Sequence, residues 1–175
     1  MKRIFSSICA VITMGLLFMP HARAGTNEDS LVMLAMAGGV DQVRNLLDQG
    51  ADVNGVSSFL GVTALIGSIS MDQTAVVQLL LARGADVNKA GLETTPLTEA
   101  AVDGYPDMVR ILIDKGADVN KKDNRDETAL MKASKILEKG KVDYKLDPIK
   151  RRPLTPAETQ AYTSVVQMLT AAGAK

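Results

Sequence analysis

The sequence predicts an all-α solenoid of about four helix-turn-helix units with loop fingers, the last unit carrying an insertion. Three observations carry that prediction. Gly-Ala-Asp-Val-Asn occurs at Gly50–Asn54, Gly84–Asn88 and Gly116–Asn120, with the glycines 34 and 32 residues apart. A period of that length marks one supersecondary unit stacked on copies of itself. Each copy follows an apolar run: Leu46-Leu47, Leu79-Leu80-Leu81 and Ile111-Leu112-Ile113. Nineteen residues before each repeat glycine stands a leucine, at Leu31, Leu65 and Leu97.

The first stretch reads as a targeting segment. Lys2-Arg3 precede an apolar run from Ile4 to Met19, and Ala22-Arg23-Ala24 place small residues before Gly25. That is the layout of a secretory signal peptide over residues 1–24. The apolar run is short for a membrane span of about 20 residues, so no span is expected after cleavage. Cys9 and His21 are the only cysteine and histidine, and both fall in this segment. A mature chain from residue 25 would hold no thiol nucleophile, no imidazole base and neither of the soft metal ligands. No enzyme, no cofactor and no metal site are expected.

Charge is unevenly spread. Gly25 to Asn120 hold 5 basic and 13 acidic residues, whereas Lys121 to Lys175 hold 12 basic and 7 acidic. Such asymmetry bears on association rather than fold. A chain that is acidic once the leader is removed does not read as a nucleic-acid binder.

The units can be justified in order. In the first, about 29–54, Leu31, Gly38, Val43 and Leu46-Leu47 are in register. In the second, 55–88, Thr63 is a helix cap, and Asp72 stands where an inter-helix glycine is expected. In the third, 89–120, Thr95 caps, Pro96 fits the first turn where no amide is needed, and Gly104 suits a left-handed turn. Tyr105-Pro106-Asp107 then opens the second helix, with Met108, Val109, Ile111, Leu112 and Ile113 as its buried stripe. The fourth unit, 121–175, is interrupted. Thr63 to Gly84 and Thr95 to Gly116 each span 21 residues, but Thr128 to Gly173 spans 45. The first helix of this unit is expected to end near Glu138 or Lys139, with an insertion over 139–156. Thr155-Pro156-Ala157-Glu158 reads as a fresh capped start, and the final helix is expected to reach about Ala172.

The paired phrases Thr-Ala/Pro-Leu and Leu-Leu-x-x-Gly-Ala-Asp-Val-Asn resemble the ankyrin repeat. The resemblance implies the fold above and a protein-binding role. It also implies a binding surface made of the loop fingers and the exposed side of the inner helices. The histidine that the family places after each Leu is replaced by Val32, Ile66, Thr98 and Met131, which should weaken the stack without changing the fold.

Contact residues follow by position: Phe59 and Leu60 on the first finger, Leu92 and Glu93 on the second, Asn124 and Arg125 on the third, and Tyr144, Arg151 and Arg152 in the insertion. Phe59 is the only phenylalanine after residue 24; it either stands at the loop tip or folds back over Val56. The third finger, Lys121 to Glu127, either steers a partner or only solubilises. Asp118 to Asn124 fails as a calcium loop, because Lys122 falls on a ligand position and Asp123 where glycine is needed. Glu99 and Asp103 share a helix face and are expected to be a solvated edge. Met33, Met36 and Met71 suggest an adaptable contact surface, and core filling explains most of them equally well.

The expected role is a non-catalytic inhibitor, of the immunity type, or an adaptor. It would act in the bacterial periplasm, or secreted as second choice, on another protein. The chain alone is expected to be monomeric. The alternative is a structural envelope protein contacting an anionic surface through Lys150-Arg151-Arg152.

Overall fold

The computed structural model describes residues 27–142 and 154–175, and the side chains of 139–142 are outside that description. The signal-peptide reading, Tyr144 and Lys150-Arg151-Arg152 all fall outside it.

Eight helices run in four pairs among the described residues: α1 (Asn27–Met36) with α2 (Val40–Asp48), α3 (Ala64–Ser70) with α4 (Thr74–Ala82), α5 (Pro96–Asp103) with α6 (Pro106–Asp114), and α7 (Ala129–Val142) with α8 (Pro156–Ala171). The first helices of the pairs pack in sequence, α1 on α3, α3 on α5 and α5 on α7. In the outer row α2 meets α4, and α6 meets α8. One continuous core results, from Leu31 and Val32 through Leu65, Leu80, Leu97 and Leu112 to Val165 and Leu169.

Threonine starts three of the four inner helices. Thr63 accepts from the Ile66 amide at 3.3 Å, Thr95 from Thr98 at 3.1 Å and Thr128 from Met131 at 3.3 Å. Each bond satisfies an amide that has no partner inside its own helix. At α8 the reciprocal arrangement is complete: Thr155 accepts from the Glu158 amide at 3.2 Å, and the Glu158 carboxylate accepts from the Thr155 amide at 2.8 Å. The positions of the missing histidines are filled. Val32 and Ile66 are buried apolar residues, and the Thr95 hydroxyl donates to Thr98 Oγ at 2.9 Å.

Each outer helix ends the same way. Gly50, Gly84, Gly116 and Gly173 have φ between 85° and 93°, and the following alanine amide reaches back to Leu46, Leu80, Leu112 and Leu169 at 2.9–3.0 Å. This is a left-handed helix stop that satisfies orphan carbonyls. A Cβ at any of these glycines would meet no atom within 4 Å. Glycine is therefore fixed here by backbone conformation and not by crowding. Asp72 takes the left-handed position of the second unit at φ 60°, a conformation aspartate tolerates better than most side chains.

The rest of the repeated phrase joins the units. Asp52, Asp86 and Asp118 each accept from the amide of the asparagine two residues on, at 2.8–2.9 Å. Each asparagine then grips the next unit with both ends of its amide. Asn54 donates to the Gly84 carbonyl and accepts from the Asp86 amide; Asn88 does the same with Gly116 and Asp118. Asn120 grips Gly173 and the Lys175 amide across the insertion.

The first helix of the fourth unit runs a few residues past the expected Glu138 or Lys139. α7 continues through Val142 and α8 begins at Pro156, so helix occupies the first residues of the stretch assigned to 139–156. Gly140 is tolerated inside α7 at a cost of about 1 kcal/mol relative to alanine.

Candidate protein-binding surface

The first finger is a tight return. Val56 and Thr63 bridge antiparallel, the Ser57 amide donates to the Val62 carbonyl at 2.9 Å, and the Gly61 amide to the Ser57 carbonyl at 2.8 Å. Gly61 lies at φ 66°, where a side chain would be strained. The finger is tied to α1 by one carboxylate. Asp29 accepts from Ser57 Oγ at 2.7 Å, from the Ser58 amide at 2.8 Å and from Ser58 Oγ at 2.9 Å. Ser57 Oγ in turn accepts from the amides of Phe59 and Leu60, both at 3.2 Å. With its backbone polar groups held from below, the tip presents Phe59 outward, 92% exposed, beside Leu60 at 38%. Phe59 does not fold back over Val56.

The second finger leans on the first. The Leu92 amide donates to the Gly61 carbonyl at 2.8 Å, and the Leu92 side chain lies directly over Gly61, leaving no room for a Cβ there. Leu92 is nonetheless 73% exposed. Phe59, Leu60 and Leu92 thus sit on two fingers in direct contact, with Glu93 next in the chain and also exposed. Scattered exposed apolar residues need no explanation, but neighbouring large ones on a hydrogen-bonded scaffold make this edge the candidate contact surface.

The third finger is built from charges that answer one another. Asp123 accepts from the amides of Arg125 at 2.9 Å and Glu127 at 3.1 Å, and its other oxygen pairs with Lys132 of α7. Lys135 pairs with Glu127, and Lys122 with Asp126 at 2.9 Å. Burial pushes the Asp123 carboxyl up. The Lys132 bond, the two amides and the Lys132 charge outweigh it and hold the group below the ordinary carboxylate range. Asn124 and Arg125 remain exposed at the tip, one unit away from the Phe59 patch.

Glu99 departs from expectation. On α5, half-buried, its pKa is raised to about 7 by desolvation and by the Asp103 charge, against the Thr94 side-chain hydrogen bond and the Lys132 charge. It is not a solvated edge, because α7 packs against this side of α5. Tyr162, not singled out in the sequence, is buried; its hydroxyl donates to the Val102 carbonyl at 2.7 Å, and its ring lies 3.0 Å from where a Gly104 Cβ would sit. Among the described residues no group of three or more His, Cys, Asp or Glu side chains is placed to hold a metal. No described helix is long and apolar enough to cross a membrane.

Stacked helix pairs with a fingered edge define a helical-repeat module of the protein-binding class. The chain belongs to the ankyrin repeat family: residues 12–91 match the family described as ankyrin repeats (3 copies), and residues 97–138 that of ankyrin repeats (many copies). It is 39% identical over 87 residues to human cyclin-dependent kinase 4 inhibitor B, covering 49% of this chain and 62% of that protein. It is 41% identical over 69 residues to human mitochondrial disaggregase, covering 39% of this chain and 10% of that one. The chain thus spans less than two thirds of either relative.

Proposed function

We propose that this protein is a stoichiometric inhibitor or adaptor, exported to the bacterial periplasm, that binds another protein through its first two fingers. The observation that carries the reading is the Phe59–Leu60–Leu92 edge, held on two hydrogen-bonded fingers with Phe59 92% and Leu92 73% exposed. Exposed aromatic anchors of this kind dominate interface energies, often at about 2 kcal/mol or more on truncation. The likeness to a protein named as a kinase inhibitor supports inhibition by binding, without naming a target here.

The test is capture from periplasmic extract by the immobilised chain, in parallel with Phe59→Ala and Leu92→Ala. A partner retained by the parent and lost from both variants is the expected result. Recovery of no partner at micromolar protein counts against the reading. N-terminal sequencing of the exported protein should begin at Gly25.

A further inference from the structure

The three joint asparagines make the same two bonds to the unit that follows, but their neighbours in the chain differ. Asn88 and Asn120 are each followed by lysine, and Asn54 is followed by Gly55, the only Asn-Gly pair in the sequence. The glycine is enforced by packing. Gly55 has no left-handed φ, but a Cβ there would collide with Glu28 of α1, whose Cγ lies against the position. The contact that seats α1 therefore puts the most reactive neighbour beside one of the three joints.

We propose that Asn54 is a site of spontaneous covalent modification that opens when the first unit lifts from the second. The Gly55 backbone nitrogen attacks Asn54 Cγ. A C–N bond forms, ammonia leaves from the side-chain amide, and a five-membered succinimide results. Water then opens the ring at either carbonyl, giving aspartate or isoaspartate and one new negative charge. Glycine favours this step because no Cβ hinders the approach of its nitrogen.

The closed joint prevents it. Asn54 Nδ2 donates to the Gly84 carbonyl at 3.3 Å and Oδ1 accepts from the Asp86 amide at 2.7 Å, which pins the side-chain amide. The attacking Gly55 N–H donates to the Asp52 carbonyl at 2.9 Å. All three bonds must break before the nitrogen can reach Cγ. The helices of the first unit pack on α3 and α4 of the second, and neighbouring units of a repeat stack separate at less cost than global unfolding. After reaction the joint cannot reform as before. Aspartate offers Gly84 an oxygen where a donor stood, and isoaspartate adds a backbone atom just before the Phe59 finger.

The experiment is peptide mapping by mass spectrometry of the purified full chain, incubated at mildly alkaline pH with and without urea. Modification at Asn54, with Asn88 and Asn120 intact, and a rate about tenfold or more higher in urea is the expected result. Equal rates with and without urea overturn control by the joint. Equal conversion at Asn88 or Asn120 overturns the site's selectivity, and an unchanged native chain after full conversion in urea overturns the site in the folded protein. Gly55→Ala alone collides with Glu28, so the control is the double variant Glu28→Ala with Gly55→Ala, which should convert more slowly in urea. Asn54→Asp keeps the acceptor for the Asp86 amide but removes the donor to the Gly84 carbonyl, so it should lower the urea midpoint; an unchanged midpoint would overturn the consequence.

Discussion

The first and third fingers occupy equivalent places in their units and are held by opposite means. Finger one is tied back to the unit before it, through Asp29 of α1 to Ser57 and Ser58. Finger three is tied forward to the unit after it, through Asp123 to Lys132 of α7. In the first case the carboxylate takes two serine hydroxyls and a backbone amide, and the tip is left apolar and exposed. In the second the carboxylate takes a cation, and the flanking charges pair among themselves. The lesson is that a charged finger is not thereby a free one: the carboxylates of the third finger are paired, whereas the first presents exposed apolar side chains.

Asp123→Ala should make the largest difference. It strands the amides of Arg125 and Glu127 and leaves Lys132, which is mostly buried, without its partner. Breaking such a pair costs about 3 kcal/mol, read as a lower urea midpoint. Because the folded carboxyl lies below its ordinary value, the stability it supplies is present above the unfolded pKa. It fades as pH falls through the acid range, so the parent and variant should converge in acid.

Glu99, near Lys132 and Asp103, is shifted in the opposite direction. Its folded pKa of about 7 exceeds the ordinary 4.5, so between those values the folded chain keeps a proton that the unfolded chain has released. Stability therefore falls as pH rises through that window and levels off above it. Glu99→Gln should remove this slope and gain about 2 kcal/mol at pH 8 over the parent, measured by urea unfolding across the range. A parent with no slope there would show that Lys132 already neutralises Glu99.

How much of this was legible in the sequence follows from distance along the chain. The threonine caps, the glycine stops and the Thr155–Glu158 box bridge a few residues, so the residue pattern reveals them. The repeat itself was legible for the same reason, multiplied by recurrence. The locks were not. Ser57 and Asp29 are 28 residues apart, and Tyr162 and Val102 are 60 apart; each depends on how far one unit is offset from the next. Asn54, Asn88 and Asn120 recur with the repeated phrase, but their grip on the following unit needs the stack to exist. Of the contact residues, Phe59, Leu60 and Leu92 are brought together and Asn124-Arg125 stand apart, while Tyr144, Arg151 and Arg152 lie outside the described residues.

Asp29→Ala tests the first finger's lock. It removes three hydrogen bonds from a partly buried carboxylate, each contributing about 0.5–1.5 kcal/mol net. Water can replace some of them at the exposed Ser58, so a loss of about 1–2 kcal/mol is expected, smaller than for Asp123→Ala. Amide exchange at Ser58, Phe59 and Leu60 should speed up while α5 and α6 keep their protection. A global loss of protection would mean that the lock supports the stack as well as the tip.

Phe59→Ala should change stability least, by less than about 0.5 kcal/mol, as expected for an exposed side chain with no packing to lose. That near-silence is what gives the variant its use. The Phe59 and Leu60 amides bond to Ser57 Oγ through the backbone, so truncation at the ring leaves the finger in place. Any partner lost from Phe59→Ala but retained by Arg125→Ala would then be assigned to the apolar finger rather than the charged one. A stability loss above about 1 kcal/mol would instead place the ring in the fold, and finger one would lose its claim as the contact surface.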